Sequence, residues 1–244
     1  AMTHRVFAPD YPGYGESGDS QTPDTVDSYV GLIFAFMDAL GLARASLAGI
    51  SMGGSIALGC TLRYPQRVDR LVLIDSYGLA RQAPAQFWSW LFIRMPGINE
   101  LTWALLRRSK AVARWSLGNI FHDPRNMPDE LVDMVFADAQ SPLAGKAFQA
   151  FQKHEITRTG LRTVFMDRLG EIKAPALIIH GANDRLVPLA ASQEAARRIP
   201  GAVLHVIPEC GHWPQREKPE EFNRVVGQFL EAGGFGAFTD TFED

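Results

Sequence analysis

Cysteine is scarce in this chain of 244 residues, and its two copies, Cys60 and Cys210, exclude a disulfide-stapled scaffold. No apolar run reaches the roughly 18 residues that a membrane span needs. The opening AMTHRVFAPD has no apolar stretch of the secretory kind. No charge of one sign dominates: 24 basic and 27 acidic residues leave a formal net charge of −3. That balance gives no long-range pull toward nucleic acid or anionic lipid. Lysine is rare, since 19 of the 24 basic residues are arginine, which reads as a compositional bias more than a functional signal. No cluster of metal-ligating residues and no phosphate-cradling glycine loop is visible, so no cofactor and no metal are expected. These absences predict a reduced, cytoplasmic protein. With 46% hydrophobic and 21% charged residues, the composition is that of a globular chain.

Short runs rich in Val, Ile and Leu predict buried strands at Arg5–Ala8, Ala45–Gly49, Arg70–Asp75, Ala176–His180 and Val203–Ile207. Helical spacing appears in Thr25–Leu40, where Val26, Tyr29, Val30, Ile33, Phe36, Met37 and Leu40 fall on one face. Further helices are predicted at Met52–Tyr64, stopped by Pro65, and at Gln193–Ile199 and Pro219–Ala232. Strand–helix alternation implies an α/β fold with a mostly parallel sheet covered on both faces. The stretch 80–169 breaks the alternation with helices alone. It carries Trp88, Trp90, Trp103 and Trp115, four of the five tryptophans. It is too long to be a loop and predicts a helical cap inserted into a core formed by 1–79 and 170–232. The end, 233–244, has no helical period and predicts a loose tail.

The chemistry concentrates in Gly49-Ile50-Ser51-Met52-Gly53, a G-x-S-x-G between a predicted strand and a predicted helix. A serine on such a turn needs small neighbours, which the glycines two before and two after supply. The helix start places the Met52 N–H beside the hydroxyl, where it can bind an oxyanion. Serine needs a base to act as a nucleophile. His212, on a loop after the last predicted strand, is the candidate, and His180 is its rival. The base needs an orienting carboxylate, for which Asp184 follows the fourth predicted strand, Ala176–His180. Asp75, at another strand end, is the alternative. The order Ser51, Asp184, His212 is that of the motif class.

These residues resemble the α/β-hydrolase superfamily with a helical cap. The resemblance runs from about residue 4 to 232. It includes Asp10-Tyr11-Pro12-Gly13-Tyr14-Gly15-Glu16-Ser17, the acid loop Gly181–Pro188 and the histidine loop Cys210–Pro219. The serine at position 51 argues against the dehalogenases and epoxide hydrolases of this fold, which use aspartate. Two subclasses remain. Cys210-Gly211-His212-Trp213, Glu217, Glu221-Phe222-Asn223 and Arg168-Leu169-Gly170-Glu171-Ile172-Lys173 resemble the C–C hydrolases of meta-cleavage products. Those enzymes typically carry Asn before the nucleophile and Arg in the cap to grip a dienoate, where this chain has Ile50 and Val135. The resemblance therefore implies first a serine carboxylesterase acting on small to medium lipophilic esters. The alternatives are a C–C hydrolase, or a catalytically weak hydrolase-like binding scaffold.

The chain is N-terminally short against the same resemblance. About three strands and a His-Gly loop that supplies a second oxyanion donor precede the Asp10 loop in the family. A truncated product, strands borrowed from another chain, and a closed-up sheet are three readings of that shortness. In the closed-up sheet, Arg5–Ala8 pairs with Ala45–Gly49 and an N–H of Tyr11, Gly13 or Tyr14 serves the oxyanion. A bare edge at Arg5–Ala8 would then predict a homodimer.

Overall fold

The computed structural model describes residues 3–19 and 21–231. The predicted tail at 233–244 lies outside the described residues. Thr25 opens helix α1, Val26–Ala39, its side chain accepting the Ser28 N–H at 3.2 Å. Strand β1, Ala45–Ile50, runs into helix α2, Met52–Arg63, which stops before Pro65. Strand β2 is Val68–Ile74. Five helices follow: α3, Gln86–Arg94; α4, Ile98–Leu106; α5, Lys110–Leu117; α6, Asp129–Asp138; and α7, Lys146–Glu155. The chain then returns through β3, Ala176–Gly181, α8, Leu189–Arg198, and β4, Val203–Ile207. It ends its described course in a single turn, α9, Pro214–Glu217, and α10, Pro219–Glu231. No helix among the described residues is long and apolar enough to cross a membrane.

The four strands form one parallel sheet in the order β1-β2-β3-β4. Alternate side chains sort to opposite faces. Leu71, Leu73, Ala176 and Ile178 pack with Leu58, Ala195 and Ile199 on one side. Val72, Ile74, Leu177 and Ile179 pack with Val225 and Phe229 on the other. All of β3 is buried, as a central strand covered by helices on both faces must be. Each such Leu or Ile contributes about 1.5–3 kcal/mol by leaving water.

The predicted strand at Arg5–Ala8 does not form. Residues 5–10 carry no regular structure, and β1 pairs only with β2. Val6 is 67% exposed, and Phe7 packs edge-on against Phe36 of α1 with ring centroids 6.0 Å apart. One apolar contact to a helix wins over a four-residue strand that Pro9 closes.

The helices between β2 and β3 build their own apolar cluster around Leu106, Leu117, Phe121, Leu131 and Val132. Trp103 packs on it, while Trp88 and Trp115 are 67% and 80% exposed. Val135 packs on the same cluster.

Because every strand is parallel, all four carboxyl ends meet at one edge. Ser51 follows β1, Asp75 follows β2, Asp184 lies three residues beyond β3, and His212 lies five beyond β4. Open α/β sheets bind their ligands at this edge.

Candidate active site

Ser51 sits at φ 50° and ψ −118°, a left-handed backbone that side-chain-bearing residues seldom adopt. Such strain costs on the order of 1–3 kcal/mol and persists only where neighbours hold it. The Ser51 N–H donates to the Ile74 carbonyl at 2.9 Å, and the Ser51 carbonyl accepts from Gly54 and Tyr77 N–H groups, both at 3.0 Å. A Cβ on Gly49 would collide with the Gly53 carbonyl, and one on Gly54 with the Ser76 hydroxyl. A Cβ on Gly53 would meet nothing. The close approach expected at the second motif glycine therefore falls one residue later. Met52 supplies the first N–H of α2, one of the helix-start donors that lack an intrahelical acceptor.

The structure brings Asp184 and His212 together. His212 Nδ1 lies 2.8 Å from Asp184 Oδ2. An ionised carboxylate only accepts, so Nδ1 carries the hydrogen, and in the neutral imidazole that tautomer puts the lone pair on Nε2. Nε2 has no partner among the described residues. Burial opposes ionisation of Asp184, but the His212 N–H and the backbone N–H groups of Leu186 and Val187 outweigh it and hold its pKa below the usual value. The two loops are tied to each other, the Asn183 N–H donating to the Cys210 carbonyl at 2.8 Å. The histidine loop is also tied to the inserted helices by the His212 N–H on the Ile120 carbonyl at 2.7 Å.

Glu217 completes that anchorage, and sequence spacing had marked it only as part of a resemblance. Its Oε1 accepts the N–H groups of Gly211 at 2.9 Å and Trp213 at 3.4 Å, and its Oε2 that of His122 at 2.7 Å. The signal was a glutamate five residues past the histidine, at the end of a single helical turn.

The two rivals are placed differently. His180 is fully buried, with Nδ1 2.8 Å from the Ser192 hydroxyl and Nε2 3.1 Å from the Val187 carbonyl. Both ring nitrogens are occupied, and burial lowers its pKa against the pull of Asp184. Asp75 is also fully buried, and one oxygen accepts the Gly181 N–H at 3.0 Å. Its other oxygen meets no donor. Burial first, then the neighbouring Asp184 charge, push its pKa to about 9. Asp75, Asp184 and His212 offer atoms within 4.8 Å of one another. The histidine proton and the raised Asp75 pKa suit a proton-sharing cluster better than a cation site.

The Asp10–Ser17 loop approaches this edge through a side chain. Tyr14 Oη lies 3.8 Å from the Met52 sulfur. Of the three N–H groups expected to serve an oxyanion, that of Gly13 donates to the Gly18 carbonyl at 2.7 Å and that of Tyr14 to the Tyr11 carbonyl at 2.9 Å. Those two are committed within the loop.

A cavity of about 360 Å³ opens beside Ser51 and Met52. Phe92, Ile93, Phe148, Phe151, Leu161 and Val187 give it an apolar wall. None of the tryptophans of the insert lines it. Glu155 also lines it, 1% exposed, accepting from the Tyr77 hydroxyl at 2.8 Å, the Thr163 N–H at 2.9 Å and the Thr163 hydroxyl at 3.0 Å. Sequence reasoning missed this buried acid, whose three donors come from two separate segments.

Residues 3–219 match the family model described as the alpha/beta hydrolase fold. The chain belongs to that family. It is a hydrolase, and its relatives narrow the chemistry. It is 35% identical over 242 residues to a 2-hydroxy-6-oxo-6-phenylhexa-2,4-dienoate hydrolase of Burkholderia cepacia, covering 96% of this chain and 79% of that protein. It is 33% identical over 237 residues to a 2-hydroxymuconate semialdehyde hydrolase of Pseudomonas putida, covering 94% and 78%. Among solved structures, a meta-cleavage product hydrolase from Pseudomonas fluorescens superposes with a TM-score of 0.76 at 29% identity, covering 94% of this chain and 80% of that one.

The expected carboxylesterase is overturned by these relatives, which are named for dienoate and semialdehyde substrates. Ile50 and Val135, read as two missing polar grips, do not outweigh likeness along the whole chain.

Proposed function

We propose that the protein hydrolyses a carbon–carbon bond in a 2-hydroxy-6-oxo-2,4-dienoate, the product class of aromatic ring fission. The observation that carries this reading is the 35% identity over 96% of the chain to a hydrolase named for such a substrate. The apolar cavity beside Ser51 suits the lipophilic group on the ketone carbon.

In this reading Ser51 attacks, His212 moves protons, Asp184 holds the imidazole and the Met52 N–H binds the oxyanion. A carbon leaving group must depart as a stabilised carbanion. The dienoate provides for this: with C2 as a ketone and a proton moved to C5, the electrons released on cleavage of the C5–C6 bond delocalise to the C2 oxygen. Water then completes the reaction, giving a carboxylic acid and a 2-hydroxypenta-2,4-dienoate. Asp184 accepting the Nδ1 hydrogen favours the tautomer whose Nε2 can take a proton.

The test is direct. Purified protein is given 2-hydroxy-6-oxo-6-phenylhexa-2,4-dienoate beside p-nitrophenyl butyrate, and loss of the dienoate's visible absorption is followed with benzoate formation. Turnover of the dienoate at the higher kcat/KM is expected. Efficient ester hydrolysis with an untouched dienoate would overturn the reading.

A further inference from the structure

The 6-oxo dienoates differ in what the ketone carbon carries: hydrogen, an aryl or alkyl group, or a chain that ends in a second carboxylate. We infer that the buried carboxylate of Glu155 makes the cavity selective for an uncharged group at that position and rejects one that ends in a carboxylate. The inference rests on the proposed C–C hydrolysis for its substrate class.

Helix α7 turns one stripe to the cavity. Phe148, Phe151, Gln152 and Glu155 all line it, at the i, i+3, i+4 and i+7 spacing of a single helix face. A wall that only packed against a lipophilic group would have no use for a charge on that stripe. Instead the stripe ends in an acid that is 1% exposed.

Its donors hold this acid as a carboxylate. The Thr163 N–H can only donate, and it does so to Oε2 at 2.9 Å. The Tyr77 hydroxyl donates to the same oxygen, and the Thr163 hydroxyl to Oε1. Burial first, then the Glu155 charge, push the Tyr77 pKa up, so the phenol keeps its proton and donates. Hydrogen bonds of this kind favour the ionised form. No Lys or Arg among the described residues pairs with Glu155, and His154 Nε2 is 3.9 Å from Oε1, beyond hydrogen-bond range. The negative charge is therefore tethered but not neutralised.

The charge is also fixed close to the nucleophile turn. Tyr77, which holds it, donates its own N–H to the Ser51 carbonyl at 3.0 Å. The Tyr77 ring packs edge-on against Phe151, with centroids 5.8 Å apart. The other charged residue of the lining, Arg185, is an exposed side chain on the acid loop, where water and salt screen it. Glu155 lies in the protein interior, where a like charge is felt more strongly. A second carboxylate entering the cavity would lose its water and meet that field. A phenyl or alkyl group would meet neither cost.

The experiment uses pairs of ligands that differ only in charge at the far end. For turnover, 2-hydroxy-6-oxonona-2,4-dienedioate is compared with its C9 carboxamide. For binding, nona-2,4-dienedioate, which lacks the ketone and cannot be cleaved, is compared with its C9 carboxamide by calorimetry. Two like charges in a partly buried site predict that wild type favours the amide by about 10–100-fold in both kcat/KM and Kd. Glu155→Gln keeps the volume and removes the charge, so it should abolish most of both ratios. A merely structural role would weaken both members of a pair alike and leave the ratio in place. Gln152→Lys leaves Glu155 and its donors intact and sets a cation beside it on the same stripe. It should lower the ratios too, and it carries the test if Glu155→Gln does not fold. A ratio absent from wild type, or unmoved in the folded variants, overturns the inference. A Glu155-dependent binding ratio without turnover of any dienoate sustains the inference and defeats the C–C hydrolase reading. Turnover with ratios indifferent to Glu155 does the reverse.

Discussion

Asp75 and Asp184 are two carboxyls from the ends of neighbouring strands that meet beneath His212, and only one of them is held ionised. The Asp184 pKa is lowered by His212 and two backbone N–H groups after burial has opposed it. Asp75 has one N–H donor, from Gly181, and an oxygen with none. Like charges this close cannot both ionise cheaply, so the proton stays on Asp75. A neutral Asp75 is then itself a donor facing Asp184, and it supports the carboxylate that His212 uses.

A pH-dependent stability follows. Unfolded, Asp75 ionises near 3.8; folded, it holds its proton to about 9. A raised carboxyl pKa means that the folded state binds the extra proton between these limits. The contribution of Asp75 is fully present below the unfolded value and is lost as pH rises toward the folded one. Asp75→Asn removes that loss. Its melting temperature relative to wild type should climb steadily from pH 5 to pH 9 by thermal denaturation. A difference that falls over this range would mean that Asp75 is ionised in the fold.

The same pair ranks two substitutions in catalysis. Asp184→Asn keeps the shape but cannot stabilise imidazolium or enforce the Nδ1–H tautomer, a loss of up to ~10⁴ in kcat in a serine protease triad. Asp75→Asn replaces a neutral acid by a neutral amide that can still donate toward Asp184. Its kcat should fall by no more than about tenfold, the worth of one net hydrogen bond. Steady-state kinetics on the dienoate decides, and the reverse ranking would make Asp75 the orienting acid.

Much of this was legible in the chain, for physical reasons that differ by element. Strands β2 and β3 announce themselves because a buried parallel strand is a continuous apolar run, whereas β1 and β4, at the two edges of the sheet, carry apolar runs that are only partly buried. Ser51 was legible because its strained turn demands small neighbours. Arg5–Ala8 misled because Val6 and Phe7 look like a strand to any local reading, whereas pairing needs a partner edge that they do not reach. Which aromatic residues of the insert reach the cavity was not legible: Trp88 and Trp115 face solvent, and Phe92, Phe148 and Phe151 line it. Tyr77 on Glu155 and Glu217 on the His122 N–H are contacts between segments distant in sequence, which no local spacing encodes.

The elbow glycines give a prediction that the motif alone would invert. Gly53 is the second glycine of G-x-S-x-G, yet a Cβ there meets nothing, and it lies inside α2. Gly53→Ala should fold normally and gain up to about 1 kcal/mol of helix propensity. Gly49→Ala drives its Cβ into the Gly53 carbonyl, so the elbow must shift. It should lose both stability and dienoate turnover. Chemical denaturation and a turnover assay on both variants check this; a destabilised Gly53→Ala beside a tolerated Gly49→Ala would refute it.

Glu217 makes the position of His212 depend on a side chain that touches no substrate. Its carboxylate accepts two N–H groups from the histidine loop and one from His122 of the insert. Glu217→Ala leaves those donors without their acceptor, each costing on the order of 1 kcal/mol when water can partly replace it. Glu217→Gln keeps one carbonyl oxygen but turns an NH₂ toward an N–H, so it should lose roughly half as much. Loosening the loop displaces His212 from Asp184 without altering the cavity wall. The loss should therefore appear in kcat more than in KM, with Gln intermediate between wild type and Ala. Thermal unfolding and steady-state kinetics on the three proteins read both effects. If Glu217→Ala stays within the ±0.5 kcal/mol typical of surface substitutions and keeps its kcat, Glu217 does not anchor the histidine loop.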